Sequence, residues 1–127
     1  MLFVCTGNIC RSPTAGGVFR ALLLKNYLDD EIQVDSAGTH DYHVGDAPDR
    51  RATAHARRRG YDISGLRARQ VVRRDFEAFD LVLAMDRGHL RFMQQLCAPE
   101  HRHKLKLLLD SPGLLDHLRR HLLRVST

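Results

Sequence analysis

The chain has 127 residues, 43% apolar and 28% charged, which suits one compact domain burying roughly two thirds of its unfolded surface without a metal or disulfide staple. It carries 20 Lys and Arg against 15 Asp and Glu, and 17 of those 20 are Arg, a bias toward anionic partners that a planar guanidinium fork holds well. No apolar run approaches the ~20 residues of a bilayer span, no charged region precedes the N-terminal apolar stretch, and three cysteines make no disulfide scaffold, so a reducing cytoplasm and no membrane association are expected.

Leu2, Phe3 and Val4 form a short β-type run that ends at Cys5. Ala15, Val18, Phe19 and Leu22 then follow helical spacing, with Pro13 near the helix start where its missing N–H costs nothing. A second strand is predicted over Ile32 to Ala37, ending at Gly38, and a helix from Pro48 that Gly60 stops. A helical turn around Phe76 and Phe79 precedes a buried strand from Leu81 to Met85. Leu90, Met93, Leu96 and Cys97 stripe another helix, and Leu105 to Leu109 reads as a fourth strand. Leu114, Leu115, Leu118, Leu122 and Val125 stripe a last helix, opened by Ser111 and Pro112. This alternation predicts an α/β fold: a parallel sheet in βαβ units with helices on both faces. Ligands of such sheets sit beyond the carboxyl ends of the strands, near helix N-termini.

The first strand-to-helix junction reads Cys5-Thr6-Gly7-Asn8-Ile9-Cys10-Arg11-Ser12-Pro13. Cys-x5-Arg alone is weak evidence; its context is what counts. The Cys closes a strand, the Arg opens a helix, and Gly7-Asn8 tolerates unusual backbone angles. Such a loop can turn its N–H groups inward as an anion nest, with the helix's positive end on the same spot. Nest, helix end and Arg11 all favour the thiolate of Cys5. A thiolate on the floor of a phosphate-shaped cup can attack phosphorus in line. Arg11 can hold two equatorial oxygens, and Ser12 can donate to the sulfur and ease its departure. No Gly-Lys-Ser/Thr follows, so a nucleotide P-loop is disfavoured.

The run Val4-Cys5-Thr6-Gly7-Asn8-Ile9-Cys10-Arg11-Ser12-Pro13-Thr14-Ala15 resembles the signature of the low-molecular-weight protein tyrosine phosphatases, in their bacterial form. Further matches are Asp35-Ser36-Ala37-Gly38-Thr39, Tyr42-His43-Val44-Gly45, Pro48-Asp49-Arg50-Arg51-Ala52, Arg69-Gln70, Asp75-Phe76, Phe79-Asp80 and Ala84-Met85-Asp86. The resemblance implies a three-layer fold with a four-stranded parallel sheet, and hydrolysis of phosphotyrosine proteins through a phosphocysteine. It implies Cys5 as nucleophile, Arg11 as the residue that binds phosphate and the transition state, and Ser12 as thiolate support. Thr6, Gly7, Asn8, Ile9 and Cys10 would form the cradle with Arg11, and Ser36 would brace Asn8. Cys10 could trap oxidised Cys5 as a disulfide. Ile9 matches the tyrosine-directed members, whereas related arginine phosphatases tend to carry Thr there. The sister arsenate reductases use a mid-chain cysteine pair, and none lies between Cys10 and Cys97. Inorganic phosphate and vanadate are the inhibitors this chemistry implies.

The chain departs from the family at one important place. The family carries Asp-Pro-Tyr between the last strand and last helix, and its Asp protonates the leaving phenol. Here Leu109-Asp110-Ser111-Pro112-Gly113 joins the two almost directly, so the single domain, residues 1–127, is shortened near residues 110–113. Asp110 is a substitute acid or a helix cap. Gly16 stands where the family usually has Glu, and Gly16-Gly17 weakens the first turn of its helix. The shortened end could expose a sheet face that a second copy covers as a homodimer. His117 with His121 and His101 with His103 have metal-compatible spacing but no Cys or carboxylate set beside them, so no metal and no organic cofactor are expected. A catalytically weak phosphate-binding or substrate-trapping module is the alternative to an enzyme. Nucleic acid is a disfavoured partner: Arg57 to Arg74 holds seven arginines, but Trp is absent and aromatics are 6%, too few for base stacking.

Overall fold

The computed structural model describes residues 1–108. Leu2–Cys5 (β1) is apolar at all four positions and buried at all four, as a strand covered on both faces must be. It lies between Asp35–Gly38 (β2) and Val82–Ala84 (β3), and Leu105–Leu107 (β4) completes a sheet of order β2-β1-β3-β4. Every pairing is parallel; Phe3 stands opposite Ser36 on one side and Leu83 on the other. Helices Arg11–Lys25 (α1), Arg50–Arg58 (α2), Arg73–Ala78 (α3) and Arg87–Leu96 (α4) connect the strands, and a 3-10 helix, Pro99–Lys104, leads into β4. The alternation of strand and helix patterns therefore gives the parallel α/β sheet it predicts.

Alternation along β1 divides the core in two. Leu2 and Val4 pack with Ala37, Val82, Ala84, Phe76 and Met93 on the side of α3 and α4. Phe3 and Cys5 pack with Leu83, Leu23 and Leu28 on the side of α1. The Phe3 and Phe19 rings meet there at 5.1 Å. A third cluster, Ala52, Ala56 and Ile63, covers α2.

Several boundaries differ from the sequence expectation for definable reasons. β2 begins at Asp35, not Ile32, because Ile32 still turns back on Leu28 O and only Asp35 N reaches Met1 O. α2 begins at Arg50, two residues after Pro48, because the Asp49 carboxylate accepts from Arg51 and Ala52 N–H and caps the helix. It stops before Gly60, which takes a left-handed φ of 87°. The stripe of α1 is also displaced. Ser12, Pro13, Gly16 and Leu23 are its buried residues, while Ala15, Val18, Phe19 and Leu22 are half-buried. The helix is wedged between the sheet and the segment after α2. A Cβ on Gly17 would stand 2.5 Å from Ile63 Cγ2, whereas one on Gly16 would meet nothing closer than 3.8 Å. Leu109, Asp110, the Ser111–Pro112 helix start, the stripe from Leu114 to Val125 and the His117–His121 pair lie outside the described residues.

Candidate active site

The segment between β1 and α1 is a loop pinned from outside. Thr39 N donates to Cys5 O at 2.8 Å, His40 N to Thr6 O at 3.0 Å and Asp49 N to Ile9 O at 2.6 Å. In a trans peptide the carbonyl and the following N–H point opposite ways, and the described residues contain no cis bond. The N–H groups of Thr6, Gly7 and Cys10 therefore face away from these anchors. Gly38 allows the close approach: a Cβ there would stand 2.6 Å from Thr6 O, against backbone that has no room to yield. Asn8 adopts a left-handed φ of 56°, the region that Asn tolerates better than most residues. Its amide is buried, with Nδ2 donating to Ser36 O at 3.3 Å. The contact between these two residues thus runs through the Ser36 carbonyl, not its hydroxyl.

Cys5 is 3% exposed, and its Sγ lies 2.9 Å from Ser12 Oγ. Ser12 is fully buried, and Oγ also lies within 2.8 Å of Asn8 Oδ1 and 3.4 Å of Ala37 O. α1 starts directly behind this group. Its N-cap, Cys10, makes no side-chain cap bond, and the first turn holds no acidic residue. A helix N-terminus left so has free N–H donors and a positive end, the ordinary elements of an anion site.

Arg11, the first residue of α1, lies at the mouth rather than the floor. Its side chain is 52% exposed, and its amino groups are 3.4 and 3.5 Å from Asp86 Oδ2. An ion pair this long and exposed is worth about 0–1 kcal/mol, so it does not oppose transfer of the guanidinium to a phosphate. Cys10 is exposed; the thiols of Cys5, Cys10 and Cys97 are all unpaired.

Three neighbours carry no role in the sequence reading. Asp86 caps α4 through its bond from His89 N at 2.9 Å, and that N–H, with His89 and Arg11 behind it, holds the Asp86 carboxyl below the usual carboxylate range against the opposing effect of burial. His89 is 5% exposed and reaches Thr6 Oγ1 with Nε2 at 2.7 Å. His43 stands over Gly7, where a Cβ would come within 2.8 Å of its ring, and its Nδ1 is 3.1 Å from Asp46 Oδ2. The available signal was position: Asp86 and His89 follow a buried strand and open a helix, as Cys5 and Arg11 do. Tyr42 stacks on His40 at 5.1 Å, beside the His40 N–H that holds Thr6, and gives the mouth an aromatic side. Among the described residues, no group of three or more His, Cys, Asp or Glu could hold a metal ion.

Known proteins share this fold and much of this sequence. A relative from Synechocystis sp. is 49% identical over 111 residues, covering 87% of this chain and 70% of its own length. The low molecular weight protein-tyrosine-phosphatase YfkJ of Bacillus subtilis is 39% identical over 110 residues, with the same coverages of 87% and 70%. Its crystal structure superposes with a TM-score of 0.82 over 86% of this chain and 69% of that one. A Drosophila arginine phosphatase has the same fold, with a TM-score of 0.78 at 33% identity over 84% of this chain and 69% of its own. The family model for low molecular weight phosphotyrosine protein phosphatase matches residues 1–122. With that match spanning the strand-closing cysteine, the pinned loop and the start of α1, the chain belongs to the low molecular weight phosphotyrosine protein phosphatase family.

Proposed function

We propose that this chain hydrolyses phosphotyrosine monoesters on proteins through a phosphocysteine on Cys5. The observation that carries the proposal is the sulfur of Cys5 seated 2.9 Å from Ser12 Oγ, beside a helix N-terminus that no side chain caps. The phosphoryl dianion takes the place of that cap, its oxygens on the loop N–H groups and on Arg11. The sulfur lone pair forms the S–P bond as the P–O bond to the phenol breaks, and the leaving oxygen takes that electron pair. Water then attacks phosphorus; the S–P bond breaks, the thiolate returns and orthophosphate leaves. Ser12 donates to the sulfur anion at both ends of the cycle.

Ile9 and the aromatic side formed by Tyr42 and His40 favour an aryl phosphate over phosphoarginine. The same reading takes residues 1–127 as one catalytic domain, shortened near residues 110–113. It places the protein in the cytoplasm, where the free thiols of Cys5, Cys10 and Cys97 stay reduced. Inorganic phosphate and vanadate compete for the cup. Among the described residues no helix is long and apolar enough to cross a membrane.

The sequence contains no Asp-Pro-Tyr, and general-acid help is worth roughly 10²–10⁴-fold, or ~3–5 kcal/mol of barrier. Nitrophenolate leaves readily without that help; a tyrosine phenolate leaves far more slowly. The test is a phosphate-release assay on p-nitrophenyl phosphate and on a phosphotyrosine peptide, with Cys5→Ser as control. The expected result is Cys5-dependent turnover of both, faster on the nitrophenyl ester by about 100-fold or more. Equal turnover would reveal another acid. Tight vanadate binding without turnover would make the chain a substrate-trapping module.

A further inference from the structure

The turn after β3 brings a second helix, α4, against the phosphate loop, and the contact is made by side chains. His89, in the first turn of α4, is 83 residues from Thr6, yet its Nε2 lies 2.7 Å from Thr6 Oγ1. On its other side, Nδ1 is 3.2 Å from Asp86 Oδ1, in an approach too oblique for a full hydrogen bond. Asp86 Oδ2 faces Arg11 at 3.4 Å. One connected path therefore runs from the residue beside the nucleophile, through an imidazole and a carboxylate, to the arginine that holds phosphate.

The chemistry selects the tautomer. A bare nitrogen lone pair facing a carboxylate at this distance is repulsive, so Nδ1 carries the proton and Nε2 accepts from the Thr6 hydroxyl. Burial, ahead of Arg11 and His40, pushes the imidazole below its ordinary value of 6.5, and Asp86 opposes them. Among the described residues, the charged and titratable groups that act on it are Arg11 from α1, His40 from the segment after β2, and Asp86 from the start of α4.

We propose that His89 is a positioning residue for the phosphatase reaction: its neutral imidazole fixes Thr6 and, through Asp86, aims Arg11. This rests on the reading of the cup given above. When the imidazole takes a proton, Nε2 becomes a donor, so the Thr6 hydroxyl must turn its own proton elsewhere. The imidazolium also draws Asp86 away from Arg11. Both ends of the cradle then lose their set, and activity falls on the acid side for a reason separate from the ionisation of the substrate.

The test uses His89→Gln, whose amide reaches Thr6 but does not titrate, His89→Ala and Thr6→Val, all on p-nitrophenyl phosphate. At neutral pH the Ala variant loses about 10-fold in kcat/KM, the order expected for one broken buried hydrogen bond, and the Gln variant loses much less. Thr6→Val/His89→Ala is no worse than His89→Ala alone, because the two residues act through one bond. The ratio of wild-type to Gln-variant kcat/KM cancels the ionisation of the substrate. It stays level through pH 6.5 and drops only in more acid solution, because burial holds the imidazole below that ordinary value and only the wild type has one to protonate. Parallel wild-type and Gln profiles, or additive losses in the double variant, overturn the proposal. A nitrogen NMR spectrum of the imidazole checks it without turnover. Nδ1 protonated and Nε2 accepting, with the Nε2 signal moved by Thr6→Val, supports it; the opposite tautomer overturns it. Absence of any Cys5-dependent turnover would instead remove the phosphatase reading and leave the NMR result to decide the His89–Thr6 contact.

Discussion

Ser12 has one proton and three acceptors around it: the sulfur of Cys5, Asn8 Oδ1 and Ala37 O. With Cys5 as a thiol, the S–H can point at Ser12 and the hydroxyl at Asn8. With Cys5 as a thiolate, the hydroxyl turns to the sulfur, because a bond to an anion is roughly twice as strong as a neutral one. The switch costs no side-chain movement, so in the proposed reaction Ser12 follows the charge on sulfur. Ser12→Ala should therefore lower kcat by roughly 10- to 100-fold, the equivalent of ~1.5–3 kcal/mol for a hydrogen bond to a charged group. The loss should fall on the second step, so rapid quenching should show phosphoenzyme accumulating in the variant. An unchanged kcat would mean that Ser12 only packs. At this scale the sequence was informative where neighbours in the chain are neighbours in space: Cys5, Asn8, Arg11 and Ser12 lie within one loop and turn. His89 carried no such local mark. Its partner is 83 residues away, and only the packing of α4 on the loop brings them together.

The elements were legible from periodicity, but the buried edge of α1 was not. The apolar residues of that helix are spaced for a single face, yet two bodies press on it, the sheet and the segment after α2. Glycine marks both contacts. A Cβ at position 17 meets the stiff, buried Ile63 at 2.5 Å, while one at position 16 meets only ordinary contacts at 3.8 Å. Overpacking costs ~1–3 kcal/mol, and replacing Gly with Ala in a helix gains up to ~1 kcal/mol. Packing thus wins at one position and propensity at the other. Gly17→Ala should lower stability by about 1 kcal/mol, and Gly16→Ala should raise it by up to about 1 kcal/mol. Urea midpoints at constant slope measure both; a rise in both variants would contradict this account of the helix. Strand and helix limits were less legible because they hang on single groups, such as the Asp49 carboxylate that sets the start of α2.

Across the whole molecule, the parallel sheet turns all carboxyl ends to one edge. The order β2-β1-β3-β4 puts β1 where the chain first goes to one side and then to the other, the switch point at which such sheets bind ligands. Three segments converge there: the cup after β1, Thr39 and His40 after β2, and Asp86 and His89 after β3. The last two each send a hydrogen bond or an ion pair to the cup or to Arg11. The alternating strands and helices announced this edge, and the Cys-x5-Arg loop located the cup on it; the support from β2 and β3 depends on register and strand order, which no local pattern encodes. On the proposed reading, the architecture holds one sulfur in one anion-shaped recess. The most direct measurement is to quench the protein with acid during turnover of an aryl phosphate and map the covalent phosphoryl group by mass spectrometry. The account predicts phosphate on the peptide bearing Cys5 and none in Cys5→Ser. Phosphate on another residue, or steady turnover in Cys5→Ser, would contradict it.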